Sequence, residues 1–137
     1  MKVKCIANSC QDIEDPNMRS YLEKNHPTGY ASLEVGKKYM VYGLAFIDNT
    51  PIYYIRLEQD EVSPYPCSPC FFEIKDRRMS SYWRWFMQPD CNGNLICYLV
   101  FPEWGAQAMF YENLIDGDPK AEALFGNYKK LMDEEFL

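Results

Sequence analysis

Residues 2–7 (KVKCIA) alternate polar and apolar, with Val3, Cys5 and Ala7 on one face, and this period of two predicts a short, half-buried strand. Residues 8–32 lose the alternation and turn polar. Within them Asp15-Pro16 is a helix-start signal, with Met18, Tyr21 and Leu22 as the inner face of one turn or two. The β signal is strongest over residues 38–47, rich in Tyr, Val, Ile and Phe. After an Asp48-Asn49-Thr50-Pro51 turn it returns over 52–58 (IYYIRLE), which together predict a hairpin. Pro64, Pro66 and Pro69 forbid an interior strand across 63–69. Strands are expected again at 70–75 (CFFEIK), at 80–87 (SSYWRWFM) and, after the Asn92-Gly93 turn, at 95–101 (LICYLVF).

Beyond Pro102 the period changes. Ala106, Met109, Phe110, Asn113 and Leu114 recur at helical spacing through 103–115, and Gly117 ends that run. Asp118-Pro119 then reads as an N-cap followed by proline in the first turn. Ala121, Leu124, Phe125, Tyr128, Leu131 and Met132 form the apolar stripe of a second, amphipathic helix, with acid at 133–135 on its far side. Strands first and helices last predict an α+β domain: a small SH3-like antiparallel β-barrel or curled sheet closed by two C-terminal helices. At 137 residues the chain is expected to be a single domain, mainly β over 1–101 with a long 8–32 loop, and helical over 102–137.

Charge narrows the function. The formal net charge is -6; residues 80–137 hold 4 basic and 9 acidic side chains and so supply most of it. A nucleic-acid binder needs a basic face, so nucleic acid is not an expected partner. A local excess of acid suits a basic protein partner instead. No apolar run approaches a membrane span, and the five-residue apolar stretch in MKVKCIANSCQDIED is too short for a signal-peptide core. A cytoplasmic protein with reduced thiols is expected.

The candidate chemistry is sparse. Cys67-Ser68-Pro69-Cys70 has the spacing of a zinc knuckle or a redox dithiol, but the Cys5/Cys10 and Cys91/Cys97 pairs do not repeat it. If any residues bound metal they would be Cys67 and Cys70; the expectation is no metal and no cofactor. His26 is the only imidazole, and it stands before Pro27 in a polar stretch, so neither a triad nor a Cys-His pair is formed without it. The chain is rich in large rings, with 3 Trp, 11 Tyr and 8 Phe. Tyr82, Trp83, Trp85 and Phe86 are too many for one buried face, and surface rings of this kind anchor interfaces.

KVKCIAN, LEVGKKYMVYGL, IYYIRLE and CFFEIKDRRMSSYWRW in succession resemble the small SH3-like barrels of uncharacterised bacterial proteins. With FPEW, FYENL and the run from Phe125 to Phe136 added, the chain is similar to small proteins of bacterial polymorphic-toxin loci. The resemblance implies a non-enzymatic cytoplasmic immunity protein. Such a protein binds a cognate toxin domain, a nuclease for instance, and occludes its active or substrate site. A basic toxin surface would be met by Glu103, Trp104, Glu112, Asp116 and Asp118, with Tyr53 or Trp83 as further anchors. A generic SH3-like interaction module and a cysteine-based zinc or redox protein are the alternatives. The sequence leaves monomer and dimer open.

Overall fold

The computed structural model describes residues 1–47, 50–89 and 92–137. Among these residues seven antiparallel strands form one curled sheet: β1 (Lys2–Cys5), β2 (Lys38–Ile47), β3 (Thr50–Ile55), β4 (Tyr65–Cys67), β5 (Phe72–Asp76), β6 (Arg84–Pro89) and β7 (Leu95–Val100). Four α-helices accompany them: α1 (Pro16–Asn25), α2 (Pro102–Ala106), α3 (Phe110–Ile115) and α4 (Pro119–Glu135). The expected α+β class with a curled sheet and C-terminal helices is what the chain adopts. The sheet is not closed into a barrel. It runs β4-β3-β2-β1-β5, while β7 pairs with β2 and β6 with β7, so β4, β5 and β6 remain edges.

β2 organises the sheet because neighbours occupy both of its edges. Its first residues pair with β1 (Lys2 opposite Met40), its later ones with β7 (Leu44 opposite Leu99), and β3 follows from Val41 to Ile47. Both faces are covered, which explains why Val41 to Ala45 reads as a nearly continuous apolar run instead of an alternation. The pairing with β3 shifts register between Val41 and Gly43. That bulge takes Tyr42 out of step, and its carbonyl receives the indole N–H of Trp83 at 3.1 Å.

β1 follows its pattern, with Val3 and Cys5 buried. α1 is longer than the turn or two expected and spans ten residues. Asp15 accepts hydrogen bonds from the amides of Asn17 and Met18, both at 2.9 Å, and this capping together with burial of Leu22 sustains the helix. The proline-rich stretch does contain a strand, β4, but a three-residue one at the sheet's edge, where Pro66 withholds no needed N–H. Residues 69–71 form a 3-10 turn before β5 starts at Phe72, so the strand expected from 70 begins two residues later. β6 likewise starts at Arg84, since Ser80 and Ser81 bind the carboxylate of Glu135 at 2.7 Å from Oγ and N respectively. The Asn92-Gly93 turn uses a positive φ of 81° at Gly93. The hairpin turn at Asp48 and Asn49, and the pairing of Cys91, lie outside the described residues.

The single helix expected over 103–115 is two helices. Gln107 is extended, at φ -115° and ψ 110°, and separates α2 from α3. Phe110 and Leu114 face the core as the spacing requires, but Ala106 and Met109 are exposed. α4 keeps its stripe: Ala121, Phe125 and Met132 are buried, and Tyr128 stacks on Phe101 with centroids 4.2 Å apart. Its acidic end is not merely solvated, because Asp133 accepts the Tyr42 hydroxyl at 2.8 Å and Glu135 holds Ser80. One hydrophobic cluster runs from Met1 to Met132 through every layer. Among the described residues no helix is long and apolar enough to cross a membrane.

Candidate functional site

Cross-strand partners share a face, so the register sorts the middle of the sheet into two surfaces. Phe86, Tyr98, Ala45 and Ile52 lie in one row, with Gln88 and Ile96 beside them and Tyr54 and Pro66 further along. α2 and α3 pack over this face. Gly43 permits the approach: a Cβ there would come within 2.8 Å of Val100 and 3.3 Å of the Trp104 indole. Gly105 in α2 is closer still, lying directly on the Phe86 ring.

Helices and sheet stay apart at one end, leaving a cleft of about 310 Å³. Ile47, Ile52, Tyr54, Ile96, Tyr98 and Gln88 come from the sheet, and Trp104, Tyr111 and Glu112 from the helices. The inner wall is a ring cluster in which Tyr54 stands edge-on to Trp104 at 4.8 Å and to Tyr111 at 5.0 Å, while Trp104 and Tyr111 are parallel to within 9°. The Tyr111 hydroxyl donates to the Pro64 carbonyl at 2.9 Å and so fixes α3 to the segment before β4. Burial, reinforced by neighbouring phenols and Glu112, pushes the Tyr54 and Tyr111 phenols above their ordinary range. Tyr98 rises for the same two reasons, burial and then Glu112. All three therefore stay neutral phenols around one carboxylate, and Glu112 is the only charged side chain among the described lining residues.

Of the sequence candidates, Trp104 and Glu112 meet in this cleft. Trp104 is only 3% exposed, so it is a wall and not a protruding anchor. Glu103 is not among the residues lining this cleft; its carboxylate is near Tyr128 and raises that phenol. Asp116 and Asp118 are exposed after α3, and Asp118 also caps α4 by accepting from the Ala121 amide at 2.9 Å. Trp83 is corrected: at 6% exposure, with its N–H bonded to Tyr42, it belongs to the core. Tyr53 is not brought to this cleft: it is half-buried on the opposite face of β3 from Tyr54 and packs on Phe72 at 6.0 Å. The surplus ring is Trp85, 51% exposed beside Met87 on the outer face of β6. Cleft residues Tyr54, Tyr98 and Tyr111 were not among the candidates; the registers of β3 and β7 orient Tyr54 and Tyr98, and Tyr111 comes from α3.

The other chemistry is muted. Cys67 is buried at the end of β4, and burial, then Cys5 and Glu61, pushes its thiol up to about 12. Cys70 is half-buried in the following 3-10 turn. Among the described residues no group of three His, Cys, Asp or Glu side chains is placed to hold a metal ion. His26 sits between Tyr21 and Tyr30, with Nδ1 at 3.3 Å from the Tyr30 hydroxyl, and burial lowers its pKa. No family model, curated protein or solved structure matches the chain.

Proposed function

We propose that this chain is a non-enzymatic cytoplasmic immunity protein that binds a basic bacterial toxin domain and occludes its active or substrate site. The observation that carries the reading is the segment from Phe101 to Pro119. It holds four carboxylates and no Lys or Arg, and it places Glu112, Asp116 and Asp118 on the surface beside an aromatic cleft. Such a surface accelerates encounter with a basic partner and repels acidic ones. Exposed Met109 and Ile115 on the same helical segment supply apolar contact next to the charge. The resemblance to immunity proteins of polymorphic-toxin loci gives the partner its class.

Copurification of the full chain with the toxin domain encoded beside it tests the reading, with affinity measured at two salt concentrations. The expected outcome is a stoichiometric complex whose affinity falls at least about tenfold, with a flatter salt dependence, in the triple variant Glu112→Gln, Asp116→Asn, Asp118→Asn. Asparagine caps a helix as well as aspartate, so this variant removes charge without uncapping α4. Failure of the neighbouring toxin to bind overturns the reading, and an unchanged complex in the variant overturns its electrostatic basis.

A further inference from the structure

We propose that the cleft between the β2-β3-β7 face and α2-α3 receives one arginine side chain of the bound partner. This deepens the reading of the chain as a binder of a basic protein and rests on it. An arginine has two parts, an aliphatic stem that gains by leaving water and a planar cation that must keep its hydrogen bonds. The cleft offers a match for each. Ile47, Ile52 and Ile96 give apolar wall for the stem. Tyr98 and Tyr111, both half-buried, present ring surface that attracts a guanidinium, and Glu112 offers a carboxylate at the same site.

Charge decides between kinds of occupant. Among the described residues no Lys or Arg lines the cleft, so no cation of the lining pairs with Glu112 there. An anionic ligand would meet that carboxylate with no cation to receive it. An ammonium is a compact, strongly hydrated point charge, whereas a guanidinium stacks on rings and spreads five donors over several acceptors. Here those acceptors are Glu112, the side-chain oxygen of Gln88 and the tyrosine hydroxyls.

Titration of the isotope-labelled full chain with N-acetyl-arginine amide, followed by NMR, tests the assignment; the neutral citrulline analogue serves as control. Shifts are expected to be confined to Ile96, Tyr98, Tyr111 and Glu112. The citrulline analogue should bind at least about tenfold more weakly, as should arginine to a Glu112→Gln variant whose amide spectrum is otherwise unchanged. Absence of shifts, shifts scattered over the acidic surface, or equal binding of citrulline would overturn the proposal. If the toxin binds but the arginine probe does not, the cleft assignment falls and the immunity reading stands. If the probe binds while no toxin does, the immunity reading falls and the arginine site stands.

Discussion

Gly105 and Gly126 are both helical glycines, and the structure gives the same substitution opposite signs at the two. Replacing a helix-interior glycine by alanine ordinarily gains up to about 1 kcal/mol, from lower backbone entropy in the unfolded chain. At Gly126 a Cβ meets nothing within 4 Å, so Gly126→Ala should stabilise by about 0.7 kcal/mol, or roughly 3 °C in Tm. At Gly105 the Cβ would lie 2.0 Å from Cδ2 of Phe86, 2.2 Å from Cε2 and 2.3 Å from Cγ. Carbon atoms pack at about 3.5–4.0 Å, so α2 and β6 would have to separate by more than about 1 Å, or the ring would have to leave its site. Overpacking of this degree costs about 3 kcal/mol at the upper end of its range, and the short α2 returns little of it through propensity. The expected net loss is about 2.5 kcal/mol, seen as a drop of roughly 10 °C in Tm and a lower urea midpoint at unchanged slope. A double-mutant cycle locates the cause: in a Phe86→Ala background, Gly105→Ala should be neutral or stabilising. A Gly105→Ala protein as stable as the wild type, or one equally destabilised with and without Phe86, would refute the packing of α2 on β6 described above.

Two further outcomes are expected. Asp118→Ala should destabilise by about 1 kcal/mol in urea unfolding, whereas Asp118→Asn should be nearly neutral, since only the former removes the acceptor for the Ala121 amide. Stability should fall as pH rises through about 9: the folded Cys67 thiol stays protonated up to about 12 while the unfolded one ionises near its ordinary value of 9.0, so the native state binds more protons in between. Urea midpoints across that range should fall less in a Cys67→Ala variant than in the wild type, and iodoacetamide should label half-buried Cys70 and Cys97 before Cys5 and Cys67.

Legibility in the sequence followed the reach of each signal. β1, the 38–47 strand and α4 were readable because alternation, a β-branched and aromatic run, and an Asp-Pro cap with a helical stripe are local patterns that the tertiary structure reinforces. The split between α2 and α3 was not, since the helical spacing of Ala106, Met109 and Phe110 continues across the break at Gln107. What accompanies the break is long-range, the seating of Gly105 on Phe86 and of Trp104 on Gly43, which holds α2 on the sheet. Closure of the barrel was likewise undecidable from strand content, because it depends on which edges pair, and here β4, β5 and β6 find no further partner among the described strands.

The candidate site divides along the same line. Glu112 and Asp116 were found by composition alone, because a carboxylate in a turn or short helix without nearby bases stays at the surface whatever the fold does. Rings are ambiguous in a way that charges are not. Trp83 and Trp85 are two residues apart and so share a side in a regular strand, yet Trp83 precedes the strand and drops into the core to reach the bulged carbonyl of Tyr42, while Trp85 emerges on the outer face. Tyr53 and Tyr54 are adjacent, and a strand must send them to opposite sides; choosing which one reaches the helices requires knowing the register of β3 on β2 and which face of β2 the helices cover. The unbroken register from Ile47 opposite Thr50 to Gly43 opposite Tyr54 puts Tyr54, not Tyr53, on the face where Gly43 meets Trp104, and it is therefore this hairpin register that determines which tyrosine forms the back wall of the cleft.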